Sequence, residues 1–227
     1  MIAIEVDESP EREARLVPGA EVTKKAGAGG SDLKPLAGLF SIGTPLVYPF
    51  TDELAAKDKD LGQFLVHERD HRFFLVHIAC TFRPSPNAPF ESASLQIQLQ
   101  GADGAPAIAW SMSPERVTDN VSYSRKVNVS SDLKILALGA EAGTSGERRE
   151  ICVEASGLLQ PDPAWEFTRT DRVAISGSHR LFLVVRSPQG VAVTGSLELS
   201  MTVRQLRLGL IPYKVELPDA TSASFRA

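Results

Sequence analysis

The sequence predicts an all-β protein: an antiparallel β-sandwich of about 8–11 strands with an irregular N-terminal arm. Two observations support this prediction. Several segments alternate strictly between apolar and polar residues, and long helical periodicity is absent after residue 62. A strand sends successive side chains to opposite faces, so each alternating segment has one dry and one wet face. Such one-sided strands are typical of antiparallel sheets, because parallel sheets are usually covered on both sides.

The chain has 227 residues, 43% of them hydrophobic, which is enough for one large β domain with an arm. We expect an arm over residues 1–60, a sandwich over 61–217 and a flexible tail over 218–227. The formal net charge is -4, and no cluster of Lys and Arg indicates a nucleic-acid partner. The N-terminus lacks a signal-peptide pattern, and no apolar run is long enough to span a bilayer, so we expect a cytoplasmic protein.

The arm contains three recognisable pieces. Met1–Val6 has the pattern of a short strand. Residues 24–32 are rich in glycine and are typical of a flexible loop. Thr51–Lys57 is the best helix candidate, since Thr51 suits the N-cap and the acidic residues after it suit the positive end of a helix.

The sandwich is predicted from two kinds of strand. Ala93–Gln100, Val121–Val129 and Val191–Val203 alternate between apolar and polar residues. Two other segments carry apolar residues on both faces of the predicted strand: Phe73–Phe82 and Leu181–Val185. We therefore expect these two to be central strands, covered on one face by the other sheet and on the second face by the arm or a neighbouring element.

Two further features modify this outline. The apolar parity shifts after Val203, which predicts a bulge or a turn near Gln205. The segment His71–Val76 resembles His179–Val184, and each is followed by a proline-containing loop and an alternating strand. Two explanations of this similarity stay open: an internal duplication, or a coincidence between hairpins that use the same residue types.

Cys80 and Cys152 both lie in strand-like segments. An inter-sheet disulfide of the immunoglobulin kind would need a nearby Trp and a Tyr two residues before the second cysteine. Trp110 is too far from Cys80, and no Tyr precedes Cys152 at that spacing. We therefore favour two buried thiols in a reducing compartment.

His67, Glu68 and His71 fit the pattern H-E-x-x-H. Over these five residues the chain resembles the zinc-metallopeptidase signature. On a helix, that resemblance implies two zinc-binding imidazoles and a glutamate general base. The flanking segments, Gln63–Val66 and Phe73–Ile78, are strand-like, and positions four apart in a strand lie about 13 Å apart, too far for one metal. The sequence thus favours a charged turn, with a zinc site as the alternative.

The remaining candidate residues favour structural roles. The glycines at 27–30 lack the lysine and serine or threonine of a phosphate-binding loop. His77 lies in an apolar strand and is expected to be a hydrogen-bonded core residue. Trp110 and Trp165 are expected to be buried, although the loop before Trp165 offers the alternative of an exposed ring at one end of the sandwich.

These observations favour a non-enzymatic module that binds another protein or assembles with itself, with no cofactor, no catalytic residue and no metal ligand assigned. The hypothesis for its mode of action is strand addition, in which Met1–Val6 or Leu39–Phe50 pairs with an exposed sheet edge of a neighbour. One alternative is a zinc-dependent hydrolase that uses His67, Glu68 and His71. The other is a small-ligand or carbohydrate-binding sandwich with an exposed Trp or Tyr.

Overall fold

A computed structural model describes residues 2–18, 36–86, 89–118, 126–136, 151–205, 211–216 and 223–227. In these ranges the chain forms sixteen strands and two short α-helices, and the strand pairings are antiparallel. The elements of the first half are β1 (Ile2–Glu5), β2 (Glu11–Pro18), β3 (Leu36–Gly43), β4 (Leu46–Pro49), α1 (Asp52–Ala55), α2 (Lys59–His67), β5 (His71–Phe82) and β6 (Phe90–Gly101). Those of the second half are β7 (Ile108–Ser113), β8 (Arg116–Thr118), β9 (Lys126–Val129), β10 (Ile135–Leu136), β11 (Ile151–Ser156), β12 (Ala164–Thr168), β13 (Gly177–Pro188), β14 (Val193–Gln205), β15 (Ile211–Glu216) and β16 (Ser224–Arg226).

Two layers make up the sandwich. The first has the strand order β7-β13-β5-β3-β2, and the second has the order β15-β14-β6-β12-β11-β8. The pairing of β15 with β2 joins the layers along one side, while β4 pairs with β5 and β16 pairs with β14. The predicted antiparallel β-sandwich is confirmed. It has more strands than expected because the N-terminal residues, expected to be irregular, supply β1 to β4, and the residues expected to be a flexible tail supply β16.

The main core lies between the two layers. Alternate side chains of β5 and β13 face alternate side chains of β6, β12 and β14. Phe82 of the first layer illustrates the contact, because its ring centroid lies 5.0 Å from that of Phe167 and 6.0 Å from that of Phe90 in the second layer. The predicted alternation in Ala93–Gln100 is confirmed, with apolar side chains buried in this core and polar ones outward.

A second core covers the opposite face of β5 and β13. It holds Phe73, Leu75, Phe182 and Val184, together with residues of α2 and of a small sheet with the order β1-β9-β10. The prediction of two central strands covered on both faces is therefore confirmed, and arm residues supply part of the second cover. Residues 121–125 of the predicted strand Val121–Val129 lie outside the described residues, as do residues 206–210 after the predicted bulge.

The helix α2 corrects one prediction. Gln63–Val66 was expected to be strand-like, and that expectation is wrong, since these residues are helical. The Asp58 carboxylate accepts hydrogen bonds from the backbone N–H groups of Asp60 and Leu61, both at 3.1 Å, and so caps the helix. Apolar side chains at helical spacing (Leu61, Phe64 and Leu65) then pack into the second core.

The other predicted helix is confirmed as α1. Thr51 occupies its N-cap position, with Asp52 and Glu53 in the first turn, but the Thr51 side chain makes no capping hydrogen bond. The two echoed segments are neighbouring strands, since β5 pairs with β13 along their whole length and β6 pairs with β14. Duplication stays a hypothesis. No helix in the described part of the chain is long and apolar enough to cross a membrane.

Candidate functional site

The C-terminal strand β16 adds to one edge of β14. Its three residues lie opposite three residues of β14, in the pairs Thr194↔Arg226, Gly195↔Phe225 and Ser196↔Ser224. Flanking backbone bonds extend the pairing. Val193 and Ala227 exchange two hydrogen bonds, of 2.9 and 2.8 Å, and the Leu197 N–H donates to the Ala223 carbonyl at 2.9 Å.

Phe225 fixes this strand to the core. Its side chain is 6% exposed and joins the main core. The ring rests on Gly195, where a Cβ atom would lie only 2.2 Å from two of its carbons, so that position accepts the ring because it has no side chain. On the other side, the ring of Phe74 in β5 meets Phe225 edge-on with centroids 6.5 Å apart. Phe225 thus fills the space between the layers beside β4.

Arg72 links the C-terminal segment to the first layer. Its Nη2 donates to the Ala227 carbonyl oxygen at 3.0 Å, and its Nε donates to Ser187 Oγ at 3.1 Å. The guanidinium carbon lies 5.6 Å from the centroid of the Phe74 ring. One cation therefore contacts the last residue, β13 and the ring that packs against Phe225.

The register shows that β16 does not simply continue β15. Glu216 at the end of β15 lies opposite Ser200, and Ser224 at the start of β16 lies opposite Ser196. The chain advances by eight residues from Glu216 to Ser224, whereas their partners on β14 are only four residues apart. β16 takes its position from its own contacts rather than from the ladder of β15.

The outer face beside β16 forms a shallow cavity with a volume of about 600 Å³. Its polar lining comes from three adjacent strands and consists of Gln98, Gln100, Thr194, Ser196, Ser224 and Arg226. Ser224 and Arg226 point to this face while Phe225 points inward. The site can thus contact an extended segment on both sides, by an apolar pocket inside and by polar side chains outside.

The sequence analysis missed this site and assigned residues 218–227 to a flexible tail. A signal was present, because Ala223, Phe225 and Ala227 alternate with Ser224 and Arg226. The alternation is too short to indicate a strand on its own. Its partner, Gly195, interrupts an otherwise apolar set in β14 and could not be matched to a distant phenylalanine.

The arm segments expected to add to a neighbour are used within the chain. Leu39–Phe50 supplies β3, which lies between β2 and β5, and β4, which pairs with β5. Both edges of β3 are therefore occupied, whereas β4 pairs with β5 alone among the described strands, and strand addition through Leu39–Phe50 stays a hypothesis. Ile2–Glu5 forms the predicted strand but pairs with β9.

The H-E-x-x-H residues do not share one helical face. His67 is the last residue of α2, and His71 begins β5 after a turn. Glu68 Oε2 lies 3.1 Å from His71 Nδ1, so the pattern forms a local contact at the helix end. In the ranges described above, no group of three or more His, Cys, Asp or Glu side chains is arranged to hold a metal ion.

The aromatic side chains do not form a ligand platform in the described residues. Trp165 is fully buried, and its Nε1 donates to the Pro114 carbonyl at 3.0 Å. Trp110 is half-buried against Phe64 and Phe73, and Arg186 lies over its ring. The burial expected for both tryptophans is thus complete for Trp165 and partial for Trp110. The side chains of Tyr123 and Tyr213 lie outside the described residues.

The two cysteines are buried thiols and are not joined in a disulfide, as expected. Burial raises the pKa of the Cys80 thiol, and the Glu11 carboxylate raises it further. Cys152 Sγ donates to the Val117 carbonyl at 3.4 Å. Neither thiol is therefore in a state that favours nucleophilic attack.

His77 differs from its expected role in one respect. It is a core residue, 1% exposed, and its ring stacks on Phe182 with centroids 5.0 Å apart. The expected hydrogen bond is absent, since neither ring nitrogen has a partner among the described residues. Burial lowers the pKa of His77 to about 4, and the nearby Arg180 guanidinium contributes in the same direction.

No protein-family model matches the chain, and no curated protein matches it. Three solved structures are similar at a low level. The Clostridium perfringens NetB toxin in its membrane-inserted form has a TM-score of 0.30 and 9% identity, covering 96% of this chain and 94% of the toxin. Clostridium perfringens delta-toxin has a TM-score of 0.28 and 8% identity, covering 86% of this chain and 90% of its own. The collagen-binding domain of the Erysipelothrix rhusiopathiae surface protein RspB has a TM-score of 0.28 and 8% identity, covering 97% of this chain and 60% of its own. Likeness at this level does not establish a shared fold, and no function is transferred from it.

Proposed function

We propose that this protein is a non-enzymatic interaction module that binds an extended peptide segment as an added strand on the edge of β14. The observation that carries the proposal is the position of Phe225, whose ring rests on Gly195 in a strand that has its own register. The chain's own residues 223–227 fill this edge site over Gly195, which we call the β14 groove, and they line the separate shallow cavity on the outer face. They serve as the reference ligand for the site.

The groove provides the two components that strand addition requires. Backbone groups of Val193 and Leu197 supply hydrogen bonds, which contribute affinity with little dependence on sequence. The position over Gly195 selects a flat aromatic ring, and this contributes specificity. Arg72 adds a third contact by donating to a backbone carbonyl of the bound segment. The partner is therefore a protein segment, from another chain or from a copy of this one.

The cytoplasm remains the expected location in this proposal. Its support is the pair of buried thiols, Cys80 and Cys152, because an oxidising compartment favours disulfides.

The test uses the full chain with Phe225→Ala, which leaves the aromatic position empty. A fluorescent peptide corresponding to residues 217–227 should bind this variant, as measured by anisotropy. The same peptide with alanine in place of phenylalanine should bind at least about tenfold more weakly, because a buried aromatic ring contributes more than about 1.4 kcal/mol. The wild-type chain should bind the first peptide weakly, since its own segment competes.

Two variants control for general loosening of the fold. Phe167→Ala removes an equally buried ring from β12 and should bind no better than wild type. Adding Gly195→Ala to Phe225→Ala should abolish binding, since the new Cβ would occupy the ring position. Equal binding of both peptides to the Phe225→Ala chain, or binding of neither, would contradict the proposal.

A further inference from the structure

We infer that the partner for the β14 groove is a second copy of this chain, with each copy placing its residues 223–227 on β14 of the other. The inference rests on the proposed function and names the partner of the same site. It follows from the fact that one chain carries both the groove and a segment that fits it. When both components lie on one chain, two copies can exchange segments reciprocally, and the assembly closes with twofold symmetry.

Exchange preserves the contacts that hold β16. Its backbone pairs with β14, its ring meets Phe74 of β5, and Arg72 binds the Ala227 carbonyl. All of these partners lie far along the sequence from residues 223–227, and β16 does not continue the ladder of β15. A segment from a second copy can therefore make the same contacts, and protein concentration then determines which arrangement is populated.

The length of the connection permits this exchange. Glu216 lies opposite Ser200 and Ser224 lies opposite Ser196, so the chain has four more residues here than a continuous ladder would use. The seven steps from Glu216 to Ala223 span up to about 24 Å when extended. That reach is greater than the width of several neighbouring strands, which lie about 4.8 Å apart.

Cysteine pairing tests the inference in the full chain. Ser196 and Ser224 are opposite one another between two hydrogen-bonded pairs, so they form a non-hydrogen-bonded pair. The Cα atoms of such pairs lie about 4.5 Å apart, within the range that a disulfide requires. A mixture of the Ser196→Cys chain with the Ser224→Cys chain, incubated at high concentration and then oxidised, should yield a disulfide-linked dimer on a non-reducing gel.

A control mixture tests whether the cross-link depends on the register of β16 along β14. Ser200 lies on the same face of β14 but opposite Glu216, four residues or about 13 Å from Ser196. Ser200→Cys mixed with Ser224→Cys should give at least about tenfold less dimer, because the Cα separation is outside the disulfide range. The native thiols should not contribute, since Cys80 and Cys152 are 0% and 6% exposed.

The double variant Ser196→Cys/Ser224→Cys separates the two proposals. An internal disulfide in a diluted sample, together with a cross-linked dimer from the first mixture, supports exchange between copies. An internal disulfide with no dimer from either mixture overturns the second-copy inference and leaves the groove in place. The absence of both the internal disulfide and the dimer overturns the groove itself. Equal dimer from both mixtures overturns the inference, because the cross-link would not depend on register.

Discussion

His77, at the centre of β5, is buried without a hydrogen-bond partner among the described residues. A buried polar group without a hydrogen bond costs about 1–3 kcal/mol, and both nitrogens of this ring lack a partner among the described residues. The stacking on Phe182 compensates only in part, because an aromatic pair contributes about 0.5–1.5 kcal/mol. The residue thus makes the stability of the sheet depend on the protonation of one imidazole.

The pH dependence follows from the direction of the pKa shift. The pKa of His77 is about 4 in the folded chain and about 6.5 in the unfolded chain. Below pH 6.5 the unfolded chain therefore binds a proton that the folded chain does not bind until about pH 4. Stability is retained above pH 6.5 and falls by about 3 kcal/mol as the pH falls to about 4. The lowered pKa of His179 adds to this loss.

Replacing the imidazole tests this account. His77→Leu should unfold at a higher urea concentration at pH 7, by about 1 kcal/mol of unfolding free energy, because no polar group is then buried. Between pH 7 and pH 4.5 its stability should also fall less than that of wild type. His67→Ala, at the exposed end of α2, should leave both properties unchanged. An unaltered acid response in His77→Leu would contradict the role given to His77.

At the scale of elements, α2 packs by one face only. Leu61 is fully buried, whereas Val66 on the same helix is 74% exposed. Leu61→Ala should lower the free energy of unfolding by about 2–5 kcal/mol, because it leaves a cavity in the second core. Val66→Ala should change it by less than about 0.5 kcal/mol. Denaturant unfolding measures both, and similar losses in the two variants would contradict the helix orientation.

The helix α2 also shows which parts of the fold the sequence predicts and which it does not. The strands β6 and β14 were predictable because strict alternation records one buried face over many residues. The helical conformation of Gln63–Val66 was not predictable, because these four residues suit a helix as well as a strand and the next segment is a strand. The spacing of Leu61, Phe64 and Leu65 indicates a helix only when it is combined with Asp58, whose side chain can cap the first turn.

The candidate site was less predictable than the fold. The pocket joins Gly195 to Phe225, and Arg72 to Ala227, across 155 residues in the second case. Local patterns do not reveal which distant segments meet. At residues 67–71 the sequence favoured a charged turn with a zinc site as the alternative, and the structure places the end of α2 at His67 and a turn at residues 68–70.

At the scale of the whole molecule, the N-terminal residues belong to both cores. Phe40 and Ile42 are buried between the layers, and Ile4 and Val6 cover the second face of β5. The Glu11 carboxylate accepts a hydrogen bond from Thr81 Oγ1 at 2.9 Å, which ties β2 to β5. The described residues of the arm are therefore packed into the sandwich.

Deletion of residues 1–50 should prevent folding. The deletion removes β1 to β4 and a fully buried ring at Phe40, whose loss alone costs about 3–5 kcal/mol. Circular dichroism and limited proteolysis should report a chain without a cooperative unfolding transition. Phe40→Ala should remain folded but less stable and serves as the milder control. A truncated chain that unfolds cooperatively would contradict the structural role of the arm.

Hydrogen exchange at two amides tests the central claim, that Phe225 holds the C-terminal segment on β14. The N–H groups of Val193 and Leu197 donate to Ala227 and Ala223, while those of Ile97 and Leu99 donate to Pro163 and Pro161. In Phe225→Ala, the first pair should exchange at least about tenfold faster than in wild type, and the second pair should keep its protection. Unchanged protection of Val193 and Leu197 in this variant, or its absence in wild type, would contradict the account.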